Sequence, residues 1–172
     1  MGEKLTQKDV EKIKQEIDHR RLVIRHDALD QVKVARAHGD LSENFEYYAA
    51  KKYKNENESR ITYLQNILKN AEIIDDEFAD DETKVGLDSM VKVCFDFNEK
   101  SPKDFETYKI VTSIRSNSLK KLISIESPLG KSLIGKSKDE IVNVQLENGS
   151  SYELKIIDVT KVSEDNDTIK SY

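Results

Sequence analysis

Two acidic residues, Asp40 and Glu43, could do chemistry or could simply start a helix. They follow Gly39, the only glycine between residues 3 and 85, and no proline occurs before Pro102. Asp followed three residues later by Glu, directly after a helix break, is typical of a capping box, in which the two side chains bond the backbone N–H groups reciprocally. This is the simplest interpretation of the pair. It leaves room for a second role, because one carboxylate oxygen can cap while another faces solvent.

The second interpretation of Asp40 and Glu43 is metal chemistry. Two carboxylates three residues apart in the first turn of a helix can face one Mg²⁺, which prefers oxygen ligands and keeps several waters. Two ligands alone bind Mg²⁺ poorly in water, so another protein would have to supply further carboxylates. In that setting a shared metal could activate water and stabilise the leaving oxygen of a phosphodiester cleavage.

The residues on either side of Gly39 predict two long helices. Before it, apolar residues recur at intervals of three, four and seven, and a second stripe begins beyond it. A first helix over residues 8–38 would be about 45 Å long at ~1.5 Å per residue. Gly39 suits the left-handed residue after the last turn, and so short a turn returns the second helix antiparallel, with Asp40 and Glu43 at the apex. The stripes are Val10, Ile13, Ile17, Ile24, Ala28, Val32 and Ala35, then Ala50, Tyr53, Ile61, Leu64, Leu68 and Ala71.

Side-chain size changes along this predicted hairpin. Large aliphatic residues cluster in the half furthest from Gly39, whereas the seam near the apex is made mostly of small ones. Small residues let helices approach closely and make the tip thin. This profile favours insertion into a narrow space, although thin coiled coils can also be purely structural. The seam residues near the apex are Ala28, Val32, Ala35, Ala49, Ala50 and Tyr53.

The second half of the chain predicts a β-rich unit. An acidic run over residues 75–82 ends the helical pattern and is most simply a linker. From Leu87 the apolar period changes to two. Asn148-Gly149 is a strong hairpin signal, and Ser127-Pro128 suits a helix cap followed by proline at the first helical position. The candidate strands are residues 89–96, 105–114, 121–126, 141–146 and 151–159.

The predicted fold class is therefore α+β. An N-terminal antiparallel helical hairpin, or coiled coil, precedes a C-terminal antiparallel β-sheet domain with one short helix. The predicted boundaries are residues 1–76 for the hairpin, with its acidic tip at 39–44, residues 77–83 for an acidic linker, 84–162 for the β domain and 163–172 for a polar tail.

Composition excludes several classes of protein. The net charge of −5 falls entirely after residue 75, so neither half is a general polyanion binder. Cys94 is the lone cysteine, which excludes an intramolecular disulfide, and its apolar neighbours predict a buried core thiol. The N-terminus lacks an apolar signal region, and no stretch approaches the ~20 apolar residues that span a bilayer. We expect a cytoplasmic protein.

The sequence around Gly39 resembles the tip signature of the bacterial transcript-cleavage elongation factors of the GreA/GreB family. That signature reads Gly-Asp-Leu-x-Glu-Asn-x-Glu-Tyr-x-x-Ala, and residues 39–50 here read Gly-Asp-Leu-Ser-Glu-Asn-Phe-Glu-Tyr-Tyr-Ala-Ala. The small basic patch near the tip is closer to the GreA branch. The resemblance covers essentially the whole chain and continues at Asn70-Ala71-Glu72-Ile73-Ile74-Asp75, Ser127-Pro128-Leu129 and Leu133-Ile134-Gly135.

This resemblance implies a fold and an activity. Family members have an N-terminal coiled coil and a C-terminal FKBP-like domain. The globular domain docks at the rim of the secondary channel of bacterial RNA polymerase, and the coiled coil threads down it. There the factor stimulates the polymerase's own Mg²⁺-dependent cleavage of the backtracked RNA 3′ end, which rescues arrested complexes. The resemblance thus implies a protein without an active site of its own. We expect a monomer with no membrane partner.

The resemblance also implies site residues. Asp40 and Glu43 match the tip acids that assist catalysis by helping to hold a Mg²⁺ shared with the polymerase, with none bound by the factor alone. Arg36 and Lys51 match the basic patch that contacts the nascent RNA, although such residues are otherwise typical of an exposed helix face. The positions that match the polymerase-binding region are Glu126, Ser127 and Pro128.

Phe45 and Tyr48 depart from the family pattern, because both are bulkier than the residues usual at those positions. They could stack on an RNA base or pack against the helix turn, and packing is the favoured interpretation.

Two rival functions are considered. A related protein could occupy the same channel and inhibit or modulate the polymerase without stimulating cleavage, but retention of both Asp40 and Glu43 favours stimulation. The C-terminal unit could instead act as a free-standing prolyl isomerase. The pocket of such enzymes is lined by aromatic side chains, and residues 83–172 contain no Trp and few well-spaced aromatic residues.

Overall fold

The computed structural model describes residues 2–39, 43–97, 104–162 and 167–170 of the chain. The chain divides into two compact units. One consists of Met1–Glu3 and Gln7–Glu72, and the other of Lys4–Thr6 and Ile73–Tyr172. A two-stranded sheet pairs β1 (Lys4–Leu5) with β2 (Glu72–Ile73).

The first unit is an antiparallel helical hairpin, as predicted. Its first arm consists of α1 (Gln7–His19), a π-helical turn (Arg20–Ile24) and α2 (Arg25–Ala37), and its second arm is α3 (Phe45–Asn70). The backbone stays helical at both junctions of the π turn, so the first arm is continuous. A π turn adds a residue to the helical repeat and is uncommon outside functional or strained positions.

The buried seam of the hairpin changes in size along its length. Near the turn it consists of Ala28, Ala35 and Ala50, while large aliphatic residues are buried further away. This confirms the predicted gradient of size, but two of the predicted seam residues, Ala49 and Tyr53, are exposed. The second stripe is wrong at Leu68, which is only half-buried, because Ile67 takes the inward position. The buried large aliphatic residues of the hairpin are Ile13, Ile17, Ile61, Leu64 and Ile67.

The second unit is built on a five-stranded sheet whose strand order is β5-β4-β3-β7-β6. Residues alternate between the two faces of a strand, and the apolar faces enclose a core with α4 (Pro128–Leu133). Cys94 is fully buried, which confirms the predicted core thiol. The strands are β3 (Ser89–Cys94), β4 (Phe105–Val111), β5 (Leu122–Ser124), β6 (Ile141–Gln145) and β7 (Ser151–Lys161).

The sheet is mixed rather than wholly antiparallel as predicted. β4 and β5 pair in parallel over three residues, from Lys109 opposite Leu122 to Val111 opposite Ser124. The connection between these strands contains two short 3₁₀ turns, Ser113–Arg115 and Ser118–Lys120. They return the chain so that β5 runs in the same direction as β4. A parallel pair usually needs a crossover of a dozen or more residues, so the short connection pointed to an antiparallel pair. The α+β class itself is confirmed.

The local turn signals of the second unit are also confirmed. Gly149 adopts φ +84° in the turn between β6 and β7, where the N–H of Leu146 donates to the carbonyl oxygen of Ser150 at 2.8 Å. Within the described residues, no helix is both long enough and apolar enough to cross a bilayer.

A buried ionic cluster fixes part of the chain's C-terminal segment to the sheet. Lys109 donates to Asp167 at 2.5 Å, and the buried guanidinium of Arg115 donates to Asp88 at 2.8 Å. Asp88 holds a left-handed backbone with φ +58°. The N–H of Lys170 donates to the carbonyl oxygen of Ile114 at 2.9 Å. Charges this deeply buried are stable only when they are paired.

Candidate functional site

The turn between α2 and α3 begins with a glycine in a left-handed conformation. Gly39 has φ +114° and directly follows His38, the C-cap residue of α2. A Cβ at Gly39 would meet nothing within 4 Å, so the backbone angle alone explains the glycine. Glu43 follows in the turn and is exposed. Asp40, the first of the two predicted acids, lies outside the described residues.

The cap of α3 belongs to Asn44, not to Asp40. The Asn44 Oδ1 accepts a hydrogen bond from the Tyr47 N–H at 2.9 Å, which is the standard bond of an N-cap. The predicted capping box of Asp40 and Glu43 is therefore wrong. Glu43 precedes the cap, so its carboxylate is not required to start the helix.

Asn44 also connects the two arms of the hairpin. Its Nδ2 donates to the carbonyl oxygen of Ala35 at 2.8 Å. The last carbonyl groups of a helix lack partners within that helix, so this bond satisfies one such group of α2 with a side chain from the start of α3. One amide thereby fixes both ends of the loop that carries Glu43.

A basic cluster surrounds Tyr47 on the first turns of α3. The guanidinium carbon of Arg36 lies 5.6 Å from the centre of the Tyr47 ring. The pKa of Tyr47 is lowered from its ordinary 10.0, mainly by a hydrogen bond from Arg36; burial opposes this, and the charges of Arg36, Lys51 and Lys54 lower the pKa further. Arg36 and Lys51, which stand on different arms, therefore both act on Tyr47.

Two aromatic side chains beside this cluster are exposed. Phe45 leaves 86% of its surface accessible and Tyr48 leaves 53%. Tyr48 contacts Tyr47 edge to face, with ring centres 5.8 Å apart. The favoured expectation that these residues pack against the helix turn is therefore wrong for Phe45, and only partly right for Tyr48.

Among the described residues, Glu43 is the one predicted metal-binding acid whose position is known. In the part of the chain that the structure describes, no three His, Cys, Asp or Glu side chains come together as ligands for one ion. Glu46 instead pairs with His38, whose Nδ1 lies 3.2 Å from its Oε2. The exposed carboxylate of Glu43 is the kind of ligand that Mg²⁺ accepts. It fits a shared site to which another molecule brings further oxygen ligands.

A polar layer crosses the hairpin in its middle, and sequence reasoning missed it. Asn57 is buried, with Nδ2 donating to the carbonyl oxygen of Arg20 at 3.2 Å and Oδ1 accepting from the Arg20 Nη1 at 3.3 Å. The same carbonyl accepts the N–H of Arg25, five residues on, which is the bond of the π turn. The available signal was the interval between Tyr53 and Ile61 in the second stripe, where Asn57 holds the inward position.

Glu16 and Arg60 extend this layer. Glu16 accepts hydrogen bonds from the Nε of Arg20 at 2.8 Å and from the Nε of Arg60 at 2.9 Å. Burial raises the pKa of Glu16, but the hydrogen bonds and charges of Arg60 and Arg20 outweigh it, so the pKa lies below the ordinary 4.5. Arg25 forms a bidentate pair with Glu58, with both N–O distances at 2.6 Å. Polar layers of this kind fix the register of coiled coils.

The second group of predicted site residues lies on the β unit. Ser127 caps α4, with its Oγ accepting the Gly130 N–H at 3.0 Å and donating to the carbonyl oxygen of Ser124 at 2.7 Å. Pro128 stands in the first turn, as predicted. Glu126 is exposed and accepts a hydrogen bond from the Ser113 hydroxyl at 2.8 Å. The three residues therefore lie together at the start of α4, with Glu126 exposed and Ser127 and Pro128 half-buried.

Comparison with known proteins gives a consistent result. Residues 3–73 match the family model described as "Transcription elongation factor, N-terminal", and residues 80–161 match "Transcription elongation factor, GreA/GreB, C-term". A transcription elongation factor GreA of Lachnoclostridium phytofermentans is 38% identical over 91% of this chain and 94% of its own length. The GreA of Helicobacter pylori strain 26695 is 42% identical over 86% of this chain and 87% of its own length. The crystal structure of GreA factor homolog 1 of Thermus thermophilus covers 92% of this chain and 99% of that one, with 23% identity and a TM-score of 0.41.

Proposed function

Because the chain belongs to the GreA/GreB family of transcription elongation factors, we propose that it stimulates the cleavage of backtracked RNA by RNA polymerase. In this proposal the helical hairpin enters the secondary channel of the polymerase and brings its turn to the active centre. The observation that carries the proposal is the position of Glu43 in the turn. Glu43 is exposed and precedes the Asn44 cap, so folding does not require its carboxylate.

The small side chains in the seam of the hairpin near its turn support insertion into a channel. The buried seam there consists of alanine residues, Ala28, Ala35 and Ala50. Alanine seams allow close approach of the two helices and keep the paired arms thin. A hairpin that only needed stability would gain about 1.5–3 kcal/mol for each larger aliphatic side chain buried in the same place.

Asp40 and Glu43 are proposed to act together at the polymerase active centre. Their carboxylates would complete the ligand set of a Mg²⁺ that the polymerase mostly holds, and the exposure of Glu43 supports this role. A metal in that position supplies activation of water and charge stabilisation at the leaving oxygen. In this proposal the chain holds the two carboxylates in place. The two hydrogen bonds of the Asn44 side chain, one to the Ala35 carbonyl oxygen and one from the Tyr47 N–H, support that role.

Arg36 and Lys51 are proposed to contact the RNA. Both are exposed and both act on Tyr47, so a positive field lies beside the acidic turn. Phosphate groups of a single RNA strand are the natural partners of such a field. Glu126, Ser127 and Pro128 are proposed to contact the polymerase from the β unit, because the cap of α4 holds them in one fixed arrangement.

An assay on stalled, backtracked elongation complexes tests the proposal. The full chain should shorten the RNA, and Asp40→Ala with Glu43→Ala should abolish the shortening while binding to the polymerase stays nearly unchanged. The matched control replaces two exposed acids of the hairpin away from the turn, Asp30→Ala with Glu56→Ala, and should cleave normally.

Two outcomes would contradict the proposal. A protein that blocks nucleotide addition without shortening the RNA would be a modulator of the polymerase instead of a cleavage factor. Loss of polymerase affinity equal to the loss of activity in the double variant would make Asp40 and Glu43 anchors rather than metal ligands.

A further inference from the structure

Phe45 is exposed in a way that folding does not explain. It is the first residue of α3, and 86% of its surface is accessible. Full burial of a phenylalanine side chain typically stabilises a fold by about 1.5–3 kcal/mol, and this hairpin forgoes that gain at its turn. The chain would fold as well with a small polar residue at this position, because the N-cap bonds come from Asn44.

Tyr48 extends the aromatic surface. Residues three apart are neighbours on the surface of a helix, so Tyr48 lies next to Phe45 on one face of α3. Tyr48 is 53% exposed, and its ring is supported from one side by the edge-to-face contact with Tyr47. Two exposed rings therefore stand side by side within one turn of the acidic loop.

The charges that border these rings indicate the partner. Lys51 follows Tyr48 by three residues on the helix surface, and Arg36 lies against Tyr47 from the other arm. Lys54 adds a third positive charge near Tyr47. Exposed aromatic rings beside a positive surface are the combination with which proteins hold single-stranded nucleic acid, because every base can stack and every nucleotide carries a phosphate.

We propose that Phe45 and Tyr48 form a stacking platform for an unpaired base near the RNA 3′ end. Arg36 and Lys51 hold the adjacent phosphates, and the base rests on the exposed rings. The inference rests on the proposed function, since it places the RNA beside the turn. The platform positions the nucleotide to be removed relative to Asp40 and Glu43, so Phe45 and Tyr48 are positioning residues.

A protein surface is a poorer fit to this platform. Protein interfaces bury an aromatic anchor within an apolar surround that excludes water. Here the neighbouring exposed positions of the helix are mostly charged, with one small apolar residue: Glu46, Ala49, Lys51 and Lys52. A single base, flanked by phosphates, matches this alternation of ring and charge.

The test compares backtracked complexes whose extruded 3′ nucleotide either carries a base or is abasic. Phe45→Leu keeps an apolar side chain with good helix propensity but removes the aromatic face. Stacking of one base changes affinity by about 5- to 100-fold. We expect Phe45→Leu to raise the factor concentration needed for half-maximal cleavage by about 5- to 20-fold on base-bearing RNA and to leave abasic RNA nearly unaffected.

Controls separate the possible results. Leu29→Ala removes an exposed apolar residue of α2, 48% accessible and outside both the π turn and the hairpin turn, and should match the parent protein on both RNAs. An equal loss on abasic and base-bearing RNA would overturn the proposal and place Phe45 against the polymerase. No loss on either RNA would overturn it as well.

A second readout distinguishes failure of this inference from failure of the proposed function. If the parent chain cleaves neither RNA, the proposed function fails, and fluorescence of 2-aminopurine at the extruded 3′ end then decides the stacking. Quenching by the parent protein but not by Phe45→Leu supports the platform. Equal fluorescence with both proteins rejects it.

Discussion

The side-chain amide of Asn44 donates to the carbonyl oxygen of Ala35 at 2.8 Å and so joins the start of α3 to the end of α2. The same side chain accepts the Tyr47 N–H at 2.9 Å. The two bonds use both polar atoms of one amide. An aspartate could make the second bond but not the first, which allows the two contributions to be separated by mutation.

Asn44→Asp should retain the helix cap and lose the connection between the arms. We expect it to lower the free energy of unfolding of the hairpin by about 1 kcal/mol, the usual contribution of one hydrogen bond. Asn44→Ala loses both bonds and should cost about 2 kcal/mol. Urea unfolding of the full chain, followed by circular dichroism of the helices, measures both. Cleavage should fall in both variants although Asp40 and Glu43 remain. An Asn44→Asp protein with the same urea midpoint of unfolding as the parent protein would contradict this account.

Much of the fold could be predicted from local sequence signals. The helical period before Gly39, the change of period after Leu87 and the Asn148-Gly149 turn each act over a few residues, and the structure contains the elements they predict. The glycine at the turn was predictable because few other residues adopt a positive φ. These signals depend on the backbone and on burial alone.

The remaining features depend on contacts between distant residues. Asp40 and Asn44 can both cap a helix, and their sequence does not say which one accepts the N–H of the first helical turn. Asn57 marks a polar layer only once Arg20 is opposite it, 37 residues away. The parallel pairing of β4 and β5 likewise follows from how a short connection folds. No one-dimensional period encodes such pairings.

The ion pairs of Glu16 predict a dependence of hairpin stability on pH. The folded-state pKa of Glu16 lies below the ordinary 4.5 because hydrogen bonds from Arg60 and Arg20 outweigh the opposing effect of burial. Their stabilisation is therefore fully present above about pH 5 and is lost as the pH falls through the folded pKa. Glu16→Gln should reduce the free energy of unfolding by about 1.5–3 kcal/mol at pH 7.

Urea unfolding at a series of pH values between 7 and 3 checks this prediction. The difference between the parent chain and Glu16→Gln should shrink as the pH falls below 4.5, because the parent protein then loses the same charge. Glu11→Gln, an exposed acid in the same helix, is the control and should follow the parent curve. A difference that stays constant down to pH 3 would assign the effect to packing rather than to charge.

The hydrogen bond from the buried Asn57 amide predicts how the π turn responds when that amide is removed. Asn57→Leu removes the donor to the carbonyl oxygen of Arg20 but keeps a buried side chain of similar size. Arg20 keeps other partners after this change, because its carbonyl oxygen still accepts the Arg25 N–H and its side chain still donates to Glu16, so the hairpin should remain folded. The π turn should lose its support and convert to regular helix, which shifts the register of α2 against α3.

Amide hydrogen exchange and cleavage together report this change. Exchange at the Arg25 N–H, which donates to the carbonyl oxygen of Arg20, should differ between Asn57→Leu and the parent protein. Cleavage should fall because the shifted register displaces the hairpin turn that follows α2. Thr62→Leu, at an exposed position of α3, is the control. A folded Asn57→Leu protein with unchanged exchange and full cleavage would mean that the polar layer does not set the register.

The basic cluster at Tyr47 predicts a specific dependence on salt. Contacts between cations and a single-stranded backbone release counterions, so each one contributes about 0.7 to the slope of log affinity against log salt concentration. Arg36→Ala should require more factor for half-maximal cleavage at about 50 mM salt, and its deficit should shrink at about 200 mM. Lys51→Ala should behave in the same way. Arg21→Ala is the control, because it removes an exposed charge far from the hairpin turn. It should keep the parent slope of log affinity against log salt concentration. A deficit of Arg36→Ala that stays equal at both salt concentrations would show that Arg36 supports the Tyr47 ring instead of binding phosphate.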